Sequence, residues 1–145
     1  MADVAHIPQY RETFGCTPSD ARRARKAIAQ FAAAWLQGAD SVDFETAVGE
    51  ALANAIEHGK CSCLTVDCVY AHQRLVAEIA QNGLGFEPPR DRRAPERGSE
   101  RGYGLFIMHS LLDRLEFYEN GTRIRLVKRT PRRAKRAASP ARPAQ

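Results

Sequence analysis

Phe44, Val48, Leu52 and Ile56 recur at intervals of four, and so do Glu50, Asn54 and His58. On a strand all seven would share one face and mix core with solvent. On a helix the first set forms an apolar face and the second a polar stripe on another side. The segment is therefore predicted to be a helix over about 41–58, closed by Gly59. Leu52, Ala55 and Ile56 face away from the polar stripe and can pack. A carboxylate, an amide and an imidazole in a row can hold a metal-phosphate group and activate a hydroxyl or a water. Taken alone, the stripe reads first as the wet side of an ordinary amphipathic helix.

The rest of the chain alternates helical and strand periods. Residues 4–14 are predicted as an edge strand, since Pro8 cannot donate to a central ladder. Thr17 or Ser19 starts a helix over about 19–37, with Ile28, Phe31, Trp35 and Leu36 at helical spacing and Arg22, Arg23, Arg25 and Lys26 on the other side; Gly38 ends it. Residues 64–70 and 74–80 alternate apolar and polar as strands joined by a short turn near Ala71-His72. Residues 87–101 are rich in Pro, Arg and Gly and read as a mobile loop. A third helix follows Gly102-Tyr103-Gly104, with Leu105, Met108, Leu111, Leu112 and Leu115 as its stripe. Strands over 115–119 and 122–128, joined at Asn120-Gly121, form a closing hairpin. Helices, then a hairpin, a helix and a hairpin suit a two-layer α/β (α+β) sandwich: a mixed, largely antiparallel sheet with helices on one face.

At 145 residues, 43% of them hydrophobic, the chain is expected to form one domain with a real core. The net charge of +5 is unevenly spread. Six basic residues and no acids fall in 129–145, so taking six from +5 leaves residues 1–128 at −1. Residues 1–129 are expected to fold and residues 130–145 to form a disordered basic tail. Nucleic acid is not an expected partner, because the charge sits in that tail. No stretch has the length of a membrane span or the pattern of a signal peptide, so a cytoplasmic protein without a membrane partner is expected. Cys16, Cys61, Cys63 and Cys68 are then expected as reduced thiols, buried or half-buried. Cys-x-Cys-x4-Cys lacks the paired knuckles of a zinc site, and Cys61 and Cys63 sit at the opening of a strand.

Two further pieces bear on chemistry. Gly83-Leu84-Gly85 ends a buried strand, where glycine lets a ligand approach the backbone closely. Gly102-Tyr103-Gly104 precedes a helix, whose free N–H groups and dipole favour an anion. Arg90, Arg92, Arg93, Arg97 and Arg101 lie between them, on a loop suited to closing over phosphates as a lid.

Glu50…Asn54…His58 on a helix, Gln81-Asn82-Gly83-Leu84-Gly85-Phe86 after a strand and Gly102-Tyr103-Gly104-Leu105 at a later helix resemble the three boxes of the gyrase/heat-shock-chaperone/histidine-kinase/mismatch-repair ATP-binding superfamily. With Glu57-His58-Gly59 and the closing Gly121-Thr122-x-Ile124-x-Leu126, the chain resembles the small stand-alone anti-sigma-factor serine/threonine kinases over residues 10–129. The resemblance implies the histidine-kinase-like ATPase (Bergerat) fold, with ATP and Mg²⁺ as cofactors. It implies Asn54 as the Mg²⁺ ligand and Glu50 as the general base toward a serine hydroxyl. Gly83 and Gly85 would lie along adenine and ribose. Gly102, Gly104 and the turn that runs from Arg101 into Leu105 would meet the phosphates, Thr122 would support the adenine contact, and His58 would close the first box. The implied partners are a sigma factor, held inactive, and an anti-anti-sigma protein, phosphorylated on serine; the implied state is a homodimer.

One position departs from the family. Gln81 stands where the family has an aspartate that accepts the adenine amine. Glutamine can accept that bond, but it is neutral and one methylene longer. Losing the charged acceptor weakens ATP by about one to two orders of magnitude. A relative that binds nucleotide poorly and regulates by protein sequestration alone is the alternative this position implies.

Overall fold

The chain forms β1 (Gln9–Phe14), α1 (Pro18–Ala32), α2 (Gly38–Gly59), β2 (Leu64–Ala71), β3 (Arg74–Gln81), α3 (Tyr103–Leu111), β4 (Arg114–Tyr118) and β5 (Arg123–Arg129). This computed structural model describes residues 6–85 and 103–131. Residues 4 and 5 of the expected first strand, Phe86, the Arg-rich segment 87–101 with Arg101, Gly102 and the tail from 132 onward lie outside the described residues.

The strands form one five-stranded sheet in the order β1-β2-β3-β5-β4. Each adjacent pair is antiparallel, so among the described residues the sheet is not mixed. The connections explain this. Two helices, α1 and α2, lie between β1 and β2 and return the chain reversed. The single helix α3 brings β4 back parallel to β3, but β5 lies between them and pairs with both. The expected edge strand is β1, which pairs with β2 from Gln9↔Val69 to Phe14↔Leu64.

Alternation along the strands sets the two layers. Leu64, Val66 and Cys68 of β2 and Leu75, Ala77 and Ile79 of β3 are buried against the helices, which contribute Ile28, Phe44, Val48, Leu52 and Met108 to one core. The opposite face carries Arg11, Asp67, Glu78, Arg125 and Glu116 in register across all five strands. Arg125 donates to Glu78 at 2.7 Å and lies 3.8 Å from Glu116, and Arg11 lies 3.4 Å from Asp67. A row of paired charges keeps that face in water.

Local chemistry accounts for the helix starts. Thr17, not Ser19, caps α1: its hydroxyl accepts from Asp20 N–H at 3.0 Å, Asp20 accepts from Thr17 N–H at 3.0 Å, and Pro18 opens the helix. These bonds hold the Asp20 carboxyl down at about 2. The ends departed from expectation. Helix α1 stops at Ala32 instead of 37, because residues 33–35 turn so that Trp35 stacks on Tyr70 at 4.4 Å and 12°. Gly38, with φ +60, opens α2 instead of ending α1, so α2 begins three residues before 41. Leu115, placed on the third helical stripe, lies in β4, and α3 ends at Leu111.

The β2–β3 turn is tight: His72 and Gln73 both have positive φ (53 and 60), a two-residue hairpin turn. The β4–β5 connection is longer than the Asn-Gly pair implies. Tyr118 pairs with Arg123, and a turn in which Glu119, Asn120 and Gly121 all have positive φ (54, 60 and 82) lies in the gap.

The sheet has two differently built ends. At the β2–β3 hairpin end, Tyr10, Phe31, Trp35 and Tyr70 follow one another with ring centroids 6.3, 5.0 and 4.4 Å apart. Tyr70 also pairs with the Thr130 hydroxyl at 2.7 Å. At the other end lie Phe14, Leu64, Gln81 and the start of β5, and there α2 finishes at Gly59.

Candidate functional site

Helix α2 carries the predicted stripe toward the second end. Glu50 and Asn54 are half-buried and His58 is exposed. The eight residue steps from Glu50 to His58 span about 12 Å along the helix. The segment after β3 comes in at the far end of this stripe, and the start of α3 comes in at its beginning.

The α3 contact is direct. A Cβ added at Gly104 would lie 2.5 Å from Glu50 Oε1. Glycine at 104 thus lets the first turn of α3 close onto the carboxylate of α2. That turn has no acidic residue of its own, and Leu105 just beyond it is buried in the core. A carboxylate therefore sits beside a helix N-terminus, an end whose dipole suits an anion.

Gln81 anchors the other end. It continues the inward alternation Leu75, Ala77, Ile79 and is the buried polar residue among these positions, 9% exposed. Its carboxamide is satisfied locally: Nε2 donates to Leu84 O at 2.6 Å, and Oε1 accepts from Gly83 N–H at 2.7 Å. Its backbone N–H donates to Thr122 O at 2.9 Å, which joins the closing Gly-Thr segment to the same turn. The Thr122 hydroxyl donates to Glu119 O at 2.8 Å. Asn82 points elsewhere: its Oδ1 accepts from Ser62 and Cys63 N–H at 2.9 and 3.0 Å, and its amide donates to the Ser62 hydroxyl.

The glycines have a reason within the protein itself. A Cβ at Gly83 would collide with the carbonyls of Gly59 and Lys60, and one at Gly85 with the Asn120 carbonyl. These positions bring the post-β3 turn against the end of α2 and the β4–β5 turn. Leu84 N–H then donates to Gly59 O at 2.5 Å. Gly59 matters in the same way, and sequence reasoning read it only as a helix stop. A Cβ there would lie 2.5 Å from Gln81 Nε2. Glycine is spent on that contact, so the left-handed cap falls to Lys60, at φ 50. A lysine there costs about 1 kcal/mol. Lys60, Ser62 and Asn120 are site-building residues that sequence reasoning missed; a glycine one residue before the left-handed cap was their available signal.

The structure thus brings together Glu50 with Gly104, and Gln81 with Gly59, Gly83 and Thr122, along one face of α2. Gly85 joins them through Asn120. Arg101 and Gly102 lie outside the described residues. The residues present suit a nucleotide with a hard cation. Asn54 offers an amide oxygen, the donor type Mg²⁺ takes, and the α3 N-terminus suits phosphate. Gln81 offers a carboxamide oxygen with a second lone pair beyond the one Gly83 uses.

The cysteines depart from expectation. Cys16 and Cys61 are joined as a disulfide, since the α1 N-terminus and the segment after α2 meet at this end of the sheet. Cys63 is a half-buried thiol and Cys68 a buried one. Burial, with Asp67 adding to it, pushes the Cys68 thiol up to about 12. Among the described residues no helix is long and apolar enough to cross a membrane.

The histidine kinase-like ATPase domain family matches residues 14–128. The anti-sigma F factor of Thermoanaerobacter sp. (strain X514) is 30% identical over 117 residues, covering 72% of this chain and 82% of that protein. The anti-sigma F factor of Clostridium perfringens (strain 13 / Type A) is 29% identical over 99 residues, 60% of this chain and 71% of that protein. Among solved structures, the RsbU and RsbW domains of Rv1364c from Mycobacterium tuberculosis share the fold with a TM-score of 0.58 at 18% identity. That match covers 85% of this chain, which spans about a third (32%) of the length of the solved one.

Proposed function

Since the chain belongs to the histidine kinase-like ATPase domain family, in its anti-sigma-factor branch, we propose that it is an ATP-dependent serine/threonine protein kinase that also holds a sigma factor inactive. Its substrate would be an anti-anti-sigma protein, phosphorylated on serine, and its working form a cytoplasmic homodimer. Residues 1–129 form the nucleotide-binding domain in this reading, and 130–145 a basic tail whose first residue, Thr130, is still tied to the domain by Tyr70 and Gln73.

One observation carries the proposal: the Glu50 carboxylate lies against the Gly104 turn at the start of α3. A base and a phosphate-binding helix end are then neighbours, as phosphoryl transfer requires. When bound, Mg-ATP supplies the transferable phosphoryl group. Asn54 would hold the cation through its amide oxygen. The α3 N–H groups would orient and neutralise the phosphates, with Arg101 and Gly102 completing that wall. Glu50 would accept the proton of the incoming serine hydroxyl. His58 would sit at the mouth, and Gln81, with Gly83, Gly85 and Thr122, would receive the base.

Gln81 favours a second reading, in which nucleotide binds weakly and regulation is by sequestration alone. Both ends of its carboxamide are already bonded to the Gly83–Leu84 turn. An incoming base must share Oε1 with Gly83. Titration calorimetry with Mg-ATP separates the two. The kinase reading expects saturable binding that Gln81→Asp tightens. No heat from either protein at millimolar ATP rejects it in favour of sequestration.

A further inference from the structure

The Cys16–Cys61 bond spans 45 residues of sequence with Cα atoms 6.0 Å apart, well inside the range a disulfide takes. Cys16 directly precedes Thr17, the cap of α1, and Cys61 lies two residues beyond the last residue of α2. Segment 59–63 is thus a wall with two sides. On one side Cys61 joins it to the start of α1. On the other, Gly59 O accepts from Leu84 N–H, the Lys60 carbonyl faces Gly83, and the N–H groups of Ser62 and Cys63 donate to Asn82. The turn leaning on that wall is the one that grips both ends of Gln81.

We propose that Cys16 and Cys61 are a reversible redox clamp, closed by a low-molecular-weight disulfide, whose closure stiffens the Gln81 end of the nucleotide pocket. Both cysteines are half-buried, so a small thiol or disulfide reaches them. Cys68 is no competitor, because it is fully buried in β2. The clamp closes by exchange. One cysteine thiolate attacks a sulfur of the small disulfide, breaks its S–S bond and releases one small thiol, which takes up a proton. The second cysteine attacks the protein sulfur of the mixed disulfide, forms the Cys16–Cys61 bond and releases the second thiol. The protein pair loses two electrons and the small disulfide gains them. In a reducing compartment the pair rests as thiols, and an oxidising shift closes it.

The effect on nucleotide rests on the ATP-binding reading above; the clamp does not. The test equilibrates the full chain in glutathione buffers of graded redox poise. Each state is then read by alkylation mapping, hydrogen exchange, thermal unfolding and Mg-ATP titration. Oxidised glutathione should protect Cys16 and Cys61 together and leave Cys63 open to alkylation. Exchange should slow at 60–63 and at 82–85. The melting temperature should rise on the order of 10 °C, the effect of cross-linking a loop of this length. Mg-ATP should bind about three- to tenfold tighter when the clamp is closed, the ordering cost of a short loop. A Cys16→Ser/Cys61→Ser variant should respond to none of the buffers. Alkylation that pairs Cys61 with Cys63, or closure that leaves exchange at 82–85 unchanged, overturns the proposal. Absent ATP binding in both states defeats the nucleotide reading, while the exchange data still decide the clamp.

Discussion

The two ends of the sheet close by opposite means. The hairpin end is filled with side chains: Tyr10, Phe31, Trp35 and Tyr70 pack ring to ring across β1, the tail of α1 and β2. The other end closes backbone on backbone, with Gly83 against the Gly59 and Lys60 carbonyls and Gly85 against the Asn120 carbonyl, while further back along α2 Gly104 meets the Glu50 carboxylate. Large rings bury apolar area and gain further from their mutual stacking, but their stacked faces present no polar groups in a set direction. Glycine contacts bury little, but they fix the direction of N–H groups and carbonyls. A binding end needs that direction, and a stability end does not. One core thus anchors a pocket in which glycine contacts set the backbone and a few polar side chains, Glu50, Asn54 and Gln81, are presented along α2 and β3.

Substitutions should respect that division. The largest effect should come from Glu50→Ala, which removes the proposed base and should slow phosphate transfer about 10²- to 10⁴-fold. Its unfolding midpoint and Mg-ATP affinity should stay close to wild type, so transfer assays read beside titrations check it. Trp35→Ala should do the reverse. It loses a stacked, half-buried ring and should cost about 3 kcal/mol in denaturant unfolding, with ATP affinity unchanged. Should Trp35→Ala weaken ATP as much as stability, the two ends are not separate. Gly83→Ala sets a methyl against two carbonyls and should cost about 2 kcal/mol, together with most of the nucleotide affinity.

Gln81→Asp is subtler. Aspartate still accepts from Gly83 N–H but leaves Leu84 O without its donor. The nucleotide-free protein should lose about 1 kcal/mol in denaturant unfolding. Mg-ATP should tighten about tenfold at the same time, a gain of about 1.4 kcal/mol. Opposite signs for the two readouts would place Gln81 in the pocket, and equal signs would remove it. The smallest effect concerns the cap of α1. The Asp20 carboxyl sits near 2, below its ordinary 3.8, so its contribution is present above about pH 4 and is lost as pH falls toward 2. Asp20→Asn should flatten that part of a pH–stability curve and leave ATP binding untouched.

Much of the fold was legible because it rests on periodicity. Phe44, Val48, Leu52 and Ile56 announced α2, and the alternation in 64–80 announced β2 and β3. Helix ends were less legible. Residues 33–37 are helix-compatible in sequence, but Trp35 gains more by stacking on Tyr70, a partner 35 residues away. Gly59 looked like a helix cap, and became instead the gap under which Gln81 fits. Order along the chain did not supply the contacts between boxes: Gly104 of the third lies against Glu50 of the first, and Gln81 of the second lies against Gly59. The disulfide was not legible, because Cys16 and Cys61 belong to no local pattern.

Spacing along the chain was enough to mark most helices and strands, the faces they bury and the polar stripe along α2. Those are local properties, set by spacing and side-chain type within a few turns of chain. Packing across the fold set the rest: β5 lies between β3 and β4, α1 ends early, and Cys16 meets Cys61. It also decided why glycine stands at 59, 83, 85 and 104. Each of these depends on the distance between segments far apart in sequence, and local spacing carries no information about that distance.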